Sequence, residues 1–427
     1  MIRKRSENMS FCRQDNMTQE QAERVILAGV SISDADDTLA SLSELGELVK
    51  TAGAETVGQC IQNREAIHAV TYFGKGKLQE LKELIWETDA TGIVCDDELS
   101  PVQLRNLTDQ LDVKVMDRTL IILDIFAGRA QTAEGKIQVE LAQLSYAQAR
   151  LTGYGRSMSR LGGGIGTRGP GEKKLEVDRR TIKHRIAVLN RELETVKKHR
   201  AVTRQQRERN QIPVVAVVGY TNAGKSTLLN RLTGSEVLSE DKLFATLDPT
   251  TRILELPNKQ QILLTDTVGF IRKLPHHLIE AFRSTLEEAK YADMIIHVVD
   301  AANTQADQQM YTVYRTLEEL GISGKPIITL FNKQDLIKER MVLKDLKARE
   351  TLQISAKDGG GLETLRELLV KLLKENNIFI ERVIPYEDAG KLQIIRKYGQ
   401  LVQERYEEKG IFVKAFVPKE WYKKMSE

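Results

Sequence analysis

Residues 214–234, VVAVVGYTNAGKSTLLNRLTG, contain a strand, a glycine-rich loop and a helix in the order that a phosphate-binding domain needs. Val214–Val218 is an unbroken apolar run, which suits a fully buried parallel strand. Gly219–Thr227 reads G-x-x-x-x-G-K-[ST], and Ser226–Gly234 predicts a helix that ends at a glycine. Backbone N–H groups of such a loop surround phosphate oxygens, so the stretch predicts a nucleotide-phosphate site.

The loop also carries the side chains that this chemistry requires. We expect Lys225 to reach the β- and γ-phosphates as a catalytic group, and the Ser226 hydroxyl to ligate Mg²⁺. The alternative is a chance match in a glycine-rich turn, which the strand and helix on either side disfavour. The predicted contacts to the nucleotide in this loop are Gly219, Tyr220, Thr221, Asn222, Ala223, Gly224, Lys225, Ser226 and Thr227.

A second motif predicts that the base is guanine. The sequence NKQD, residues 332–335, follows the buried strand PIITLF, and SAK, residues 355–357, follows a short strand. In N-K-x-D the aspartate pairs with the guanine N1–H and 2-amino donors, and adenine would leave that carboxylate unpaired. The predicted base contacts are Asn332, Lys333, Gln334, Asp335, Ser355, Ala356 and Lys357.

Two further segments are predicted to sense the γ-phosphate. In DTVG, Asp266 is expected to hold Mg²⁺ through water, and the Gly269 N–H to act as the second catalytic group. In the other segment, FATLDP resembles the switch of Obg-type GTPases, which favours Thr246 over Thr250 and Thr251 as an Mg²⁺ ligand. The predicted GTP contacts here are Phe244, Ala245, Thr246, Leu247, Asp248, Asp266, Thr267, Val268 and Gly269.

Phe270 follows DTVG, where GTPases of the Ras type place a glutamine that orients the attacking water. A phenylalanine has no group for that task. The sequence therefore predicts slow intrinsic hydrolysis and a partner that supplies the missing positioning. His276 and His277 follow closely, but loop histidines are usually bystanders.

Composition is ordinary for a globular protein. The 427 residues suggest two to four domains at ~100–200 residues each. Three scattered cysteines, Cys12, Cys60 and Cys95, argue against a disulfide framework and fit a reducing, cytoplasmic compartment. The basic N-terminus has no apolar segment after it, so we expect no signal peptide, and no apolar run approaches membrane-span length.

Upstream of the loop, residues 1–20 are predicted to be a disordered lead-in, and residues 21–130 a small α/β domain with a mostly parallel sheet. Strands and helices alternate there along the sequence. Phe73–Lys77, FGKGK, precedes a helix and could hold a phosphate, but the motif is short and a glycine turn with ordinary surface lysines is the favoured interpretation.

Residues 131–211 are predicted to form an antiparallel helical hairpin, with a tip loop at 152–171 that contains eight glycines. From Ile137 to Asn210 there are 17 Lys/Arg and 7 Asp/Glu, a local net charge of +10. Arg156, Arg160 and Arg168 are the predicted RNA contacts, because glycines permit close approach and arginines bind phosphate. The alternatives are a flexible linker and a solvated helical surface.

The sequence thus predicts a multidomain α/β protein. Its phosphate-loop GTPase domain, residues 212–375, is preceded by a small α/β domain with a helical hairpin. A small α/β C-terminal domain, residues 376–427, follows, with strand, helix and strand in that order. The heptad seam could pair between chains, but two successive helices favour self-pairing and hence a monomer.

Taken together, the motifs resemble the HflX family of GTPases. The resemblance covers about residues 20–375 and includes RTLIILDIFAGRAQTAEGKIQVELAQLSY, RLGGGIGTRGPGEKKLEVDRR, the phosphate loop, FATLDPTTR, DTVGF and NKQD. It implies a GTPase that binds the large (50S) ribosomal subunit with its hairpin towards rRNA near the peptidyl-transferase region. It also implies splitting of ribosomes under stress or a role in subunit assembly.

Four functions follow from this interpretation. The leading one is a ribosome-associated GTPase that remodels or dissociates ribosomes. The others are a ribosome biogenesis GTPase, an ATP-dependent RNA remodelling enzyme that uses FGKGK in the N-terminal domain, and a signalling switch with a protein partner. Some members of the resembled family are reported to hydrolyse ATP through that domain.

Overall fold

The computed structural model describes residues 22–32, 37–158, 170–210, 212–234, 243–244, 247–274, 288–337, 343–374, 377–419 and 421–422. The predicted lead-in lies outside the described residues. So do Arg160, Arg168, Ala245, Thr246, His276 and His277, and only the helical backbone of Arg156 is described.

The N-terminal region is a four-stranded parallel sheet flanked by helices, as its alternating pattern predicts. The strands run in the order β2-β1-β3-β4. Ser100 opens the third helix with a capping box, in which its hydroxyl accepts from the Gln103 N–H. The elements are β1 (Arg24–Ser31), α1 (Thr38–Thr51), β2 (Glu55–Asn63), α2 (Lys75–Thr88), β3 (Gly92–Cys95), α3 (Pro101–Leu111) and β4 (Lys114–Asp117).

Three helices connect this sheet to the GTPase domain: α4 (Arg118–Arg129), α5 (Ala133–Met158) and α6 (Pro170–Asn210). The pairing of α5 with α6 gives the predicted hairpin. The predicted loop boundary at 152–171 is wrong, because α5 continues through Met158 and α6 begins at Pro170. Each glycine costs a helix only about 1 kcal/mol, a penalty that a long helix tolerates, and proline suits a first helical position.

The GTPase domain is built on a six-stranded sheet of order β10-β9-β8-β5-β7-β6, in which only β6 runs antiparallel. Strand β5 lies inside it and is almost wholly buried. The elements are β5 (Val214–Gly219), α7 (Lys225–Thr233), β6 (Thr250–Glu255), β7 (Gln261–Asp266), β8 (Met294–Asp300), α8 (Ala306–Glu319), β9 (Ile327–Asn332), β10 (Glu350–Gln353) and α9 (Leu362–Lys374).

The C-terminal region contains β11 (Asn377–Ile384), α10 (Ala389–Tyr398), β12 (Gln400–Glu407) and β13 (Gly410–Pro418). They form an antiparallel sheet of order β11-β13-β12. The predicted pattern of strand, helix and strand is therefore one strand short. Gly410 has a φ of +151°, which lets the chain reverse tightly into a hairpin.

A buried polar interface joins the N-terminal sheet to the GTPase domain. Arg118 is 1% exposed and donates to Asp96 (2.9 Å), to Glu44 (2.9 Å) and to the Arg272 carbonyl (3.4 Å). Lys273 pairs with Asp96 and with Asp97 (2.7 Å). The segment that follows DTVGF is therefore fixed to the carboxyl ends of the N-terminal strands.

Candidate nucleotide-binding site

The phosphate loop turns where β5 ends, and glycine is required there. Gly224 has a φ of +96°, and a Cβ at this position would lie 2.2 Å from Asn332 Nδ2. Only glycine allows the loop to lie this close to the base-recognition strand. Helix α7 begins at Lys225, so its free N–H groups face the loop, as the sequence predicts.

Lys225 lies in the centre of the loop and is only 7% exposed. Its Nζ donates to the Tyr220 carbonyl at 2.8 Å. Burial lowers the pKa of Lys225 to about 8, and the nearby charge of Asp266 opposes that shift. A group with this pKa favours an anionic ligand, because phosphate oxygens restore the stabilisation that burial removed.

Ser226 and Asp266 are adjacent, with the Ser226 hydroxyl donating to Asp266 Oδ2 at 2.7 Å. A hydroxyl and a carboxylate beside a phosphate loop are oxygen donors of the kind that Mg²⁺ prefers. The next residue, Thr267, donates to the Val217 carbonyl at 2.8 Å and fixes the strand end. These residues fit a magnesium ion bound beside the phosphates.

The DTVGF segment pairs with the phosphate loop through its backbone. The Thr221 N–H donates to the Phe270 carbonyl at 2.8 Å, and the Phe270 N–H to the Gly219 carbonyl at 3.1 Å. A Cβ on Gly269 would lie 2.9 Å from Thr221 Cα and 3.0 Å from Lys225 Nζ. Gly269 therefore lies directly against the phosphate loop, while the Phe270 side chain is 2% exposed and packs into the core.

The two base-recognition segments lie together at the ends of their strands. Asn332 Nδ2 donates to the Ala223 carbonyl (2.8 Å), and Asn332 Oδ1 accepts from the Ala356 N–H (2.9 Å). Ser355 Oγ donates to Asp335 Oδ1 at 2.8 Å and orients that carboxylate. Asp335 is otherwise exposed, so the group predicted to read guanine lies at the surface.

Lys333, in the left-handed conformation with φ +64°, pairs with Asp300 at 2.8 Å. Its neighbour Gln334 begins a single 3₁₀ turn, and the Lys357 carbonyl accepts from the Arg231 guanidinium. The structure thus brings together the phosphate loop, DTVG, NKQD and SAK.

The described residues of the FATLDP segment contact α4 and the start of α5. Phe244 and Leu247 are 3% and 4% exposed and belong to the apolar core that includes α4 and α5. Phe244 packs edge-on against Phe126, with ring centroids 4.6 Å apart. The Asp248 carboxylate contacts the start of α5.

Sequence reasoning missed that the N-terminal domain reaches the phosphate loop. The Tyr220 hydroxyl donates to Glu44 of α1 at 2.6 Å and accepts from the Arg272 N–H at 2.8 Å. A cavity of about 330 Å³ lies beside this contact, lined by Glu44, Asn222 and Asp300 among others. The sequence offers one signal for this contact, which is the tyrosine directly after the first loop glycine. A buried tyrosine hydroxyl needs a hydrogen-bond partner, and here the partner comes from another domain.

The FGKGK turn precedes α2, as predicted. Phe73 is fully buried, the Gly74 N–H donates to Gln62 Oε1 (2.9 Å), and Lys77 pairs with Glu80 (2.6 Å). These contacts give the turn a structural role, and phosphate binding there stays a prediction.

Comparison with known proteins identifies the family. Residues 39–127 match the family described as GTP-binding GTPase N-terminal, residues 129–207 its middle region, and residues 214–333 the family described as 50S ribosome-binding GTPase. The GTPase HflX of Lacrimispora saccharolytica is 64% identical over 408 residues, covering 96% of both chains. This chain belongs to the HflX family of GTPases.

More distant HflX relatives align over most of their length as well. The protein of Caldanaerobacter subterraneus is 50% identical over 92% of this chain and 91% of its own, and that of Escherichia coli 40% over 83% and 84%. As a family member, the chain binds GTP and hydrolyses it.

Among solved structures, the SsGBP–GDP complex is 28% identical with a TM-score of 0.47, covering 82% of this chain and 99% of that one. A GTP-binding protein of Sulfolobus solfataricus in complex with GDP is 27% identical, with a TM-score of 0.43 and coverage of 83% and 99%. Among the described residues, no helix has both the length and the apolar character needed to cross a membrane.

Proposed function

We propose that this GTPase binds the large ribosomal subunit and uses GTP to remodel or dissociate ribosomes under stress, in the cytoplasm and as a monomer. The observation that carries the proposal is the connection between a basic hairpin and a nucleotide site. Helix α6 ends at Asn210 and the strand before the phosphate loop starts at Val214, so little chain separates the two. The match of residues 214–333 to a ribosome-binding GTPase family supports the choice of partner.

The proposed chemistry follows from the site. Lys225 and the loop N–H groups hold the β- and γ-phosphates, Gly269 reports on the γ-phosphate, and Asp335 reads guanine. Ser226 is the proposed Mg²⁺ ligand, and Thr246 the second. Mg²⁺ would neutralise charge on the phosphates. Since Phe270 is buried in the core, we propose that the ribosome supplies the group that positions the attacking water.

The proposed rRNA contact is the hairpin, including Arg156, Arg160 and Arg168. Exposed basic side chains lie along the described part of α6, among them Arg179, Arg180, Lys183, Arg191 and Lys198. Such a surface binds phosphate backbones with an affinity that falls as salt concentration rises.

The decisive experiment measures the GTP hydrolysis rate with and without purified large subunits. We expect a large stimulation, which deletion of residues 162–169 abolishes while the intrinsic rate is retained. The double variant Arg160→Ala/Arg168→Ala should weaken stimulation, whereas Arg252→Ala/Arg315→Ala, which removes the same charge from exposed sites on the GTPase domain, should not. An unstimulated rate with intact subunits would contradict the proposal.

A ribosome biogenesis role is a second candidate, because it uses the same chemistry and the same partner. Light scattering of intact ribosomes separates the two: dissociation lowers the signal when GTP is added, whereas an assembly factor leaves mature ribosomes intact.

A further inference from the structure

The Asp248 carboxylate lies on the first turn of hairpin helix α5. Its Oδ2 accepts from the N–H groups of Gln131 and Thr132, both at 3.0 Å, and its Oδ1 accepts from the Thr132 hydroxyl at 2.5 Å. Thr132 in turn caps the helix, accepting from the Gly135 N–H at 2.9 Å. A carboxylate at a helix N-terminus satisfies free donors and complements the helix dipole.

Gly135 makes this close contact possible. A Cβ on residue 135 would lie 2.4 Å from Asp248 Oδ1 and 3.1 Å from the Thr132 hydroxyl. A side chain at residue 135 would therefore have to displace the Asp248 carboxylate. The sequence therefore contains both halves of the contact: an acidic side chain on one segment, and space for it on the other.

Asp248 also lies at an informative place in the chain. It is two residues after Thr246, the proposed Mg²⁺ ligand, and two before β6 begins at Thr250. Two residues span at most about 7 Å, so a shift of Thr246 by several ångströms must either move Asp248 or break its contact. Leu243, Phe244 and Leu247 belong to the same apolar core as Val139 and Ala142 of α5.

The first turn of α5 is in turn fixed to α6. Glu134 pairs with Arg200 at 2.9 Å, and further along Glu140 pairs with Arg185 through two bonds of 2.6 and 2.9 Å. A displacement of the α5 N-terminus is therefore passed to both helices of the hairpin.

We propose that Asp248 couples the nucleotide state to the orientation of the α5–α6 hairpin. In this mechanism the carboxylate acts as a tether between residues 243–250 and the helix, so that exchange of GDP for GTP tilts the hairpin. Arg180 lies twenty residues before Arg200, or about 30 Å along the helix. A tilt of about 5° at the base therefore displaces Arg180 by roughly 3 Å. The inference rests on the proposed nucleotide site but not on ribosome binding.

The test uses the full-length chain without ribosomes. Spin labels are placed at Arg180→Cys on α6 and Asp307→Cys on α8, two exposed positions, in a Cys12→Ser background. Cys60 and Cys95 are buried and react poorly with a label. The distance between the labels is measured by pulsed electron paramagnetic resonance in saturating GDP and in a saturating non-hydrolysable GTP analogue.

We expect the two nucleotides to give distance distributions that differ by about 3 Å, and Asp248→Ala to give the same distribution with both. Thr132→Val, which keeps the backbone donors and loses only the hydroxyl, should reduce the difference. Ser100→Ala removes a helix cap of the same kind from α3 and should leave the difference unchanged. If Asp248→Ala fails to fold, Thr132→Val and Asp248→Asn carry the test.

Two outcomes overturn the proposal. In the first, Asp248→Ala shows the same difference in label distance between GDP and the analogue as the parent protein does. If Asp248→Ala does not fold, the same result in both Thr132→Val and Asp248→Asn overturns the proposal. The other is identical distributions for the parent protein in GDP and in the analogue, with both nucleotides shown to be bound. Failure of nucleotide binding by the parent protein is recognised separately, because it contradicts the nucleotide site itself.

Discussion

The N-terminal sheet and the largely parallel GTPase sheet differ in what lies at the carboxyl ends of their parallel strands, the edge where open α/β sheets bind ligands. In the GTPase sheet this edge carries the phosphate loop, Asp266 and Asn332, and glycines keep space beside them. In the N-terminal sheet it carries Asp96 and Asp117.

The acidic groups of the N-terminal edge are neutralised from within the chain. Asp96 accepts from Arg118 and Lys273, and Asp117 from the Arg150 guanidinium (2.5 Å) and the Tyr146 hydroxyl (2.7 Å). The same architecture thus serves two purposes: one edge is open to an anionic ligand, and the other is closed by cations and holds the domains together.

The largest effect on stability should come from removing the buried cation at the carboxyl edge of the N-terminal sheet. Arg118→Met leaves buried carboxylates without their main cation, and removal of one partner of a buried pair costs about 3–5 kcal/mol. We expect that loss in the free energy of unfolding, measured with urea and circular dichroism.

The matched control is Arg185→Met, which breaks an exposed, solvent-screened pair with Glu140 and should cost far less unfolding free energy than Arg118→Met. If Arg118→Met and Arg185→Met lost equal amounts of unfolding free energy, the buried ion pairs at the N-terminal sheet would stabilise the protein no more than an exposed surface pair does.

The ligand edge is tested by Asp335→Asn. An asparagine presents an N–H₂ where guanine also presents donors, so we expect GTP affinity to fall by about 100-fold or more. Xanthosine triphosphate carries a carbonyl oxygen, an acceptor, at the ring carbon where guanine carries its 2-amino donor. It should therefore bind the variant better than GTP does. Asp358→Asn, at an exposed position two residues beyond Ala356, serves as the control in the same fluorescence titrations and should leave both affinities unchanged.

The pH dependence of nucleotide binding sharpens the comparison further. Burial lowers the pKa of Lys225 to about 8 in the free protein, and bound phosphates hold the lysine charged. Binding therefore takes up a proton above pH 8, and affinity for GDP should fall by up to about tenfold per pH unit there, while it stays flat below. Lys225→Arg, which remains charged, should lack this fall. A parent protein with constant affinity from pH 7 to 9.5 would contradict the assignment.

The smallest effect is expected for Lys273→Ala. Lys273 is 39% exposed, and its bonds to Asp96 and Asp97 are partly screened by solvent, so we expect a loss of about 1 kcal/mol in unfolding free energy. Lys259→Ala, which removes an exposed pair with Glu255, is the comparison and should cost less.

The sequence predicts the sheets and the phosphate loop well, because both depend on local pattern. The alternating elements from β1 to β4 and the strand before Gly219 lie close to where periodicity and capping residues place them. The sequence does not predict helix α4, because its residues 118–129, RTLIILDIFAGR, contain a short continuous apolar run that suits a buried strand as well as a helix.

Contacts between distant segments could not be predicted. Lys273 and Asp96 are 177 residues apart, and Tyr220 and Glu44 are 176 apart. No periodicity or spacing rule connects residues at such separations. For the same reason the sequence predicts only nucleotide contacts for the FATLDP segment, whereas the contacts of Phe244 and Asp248 with α4 and the start of α5 depend on how the domains pack.

The burial of Leu243, Phe244 and Leu247 has a calorimetric consequence. Any nucleotide state in which these three side chains leave the core brings apolar surface into water, and exposed apolar surface raises the heat capacity of the protein. The temperature dependence of the binding enthalpy should therefore differ between GDP and a GTP analogue if exchange remodels this part of the core. If the core stays closed throughout the cycle, the two ligands should give the same slope.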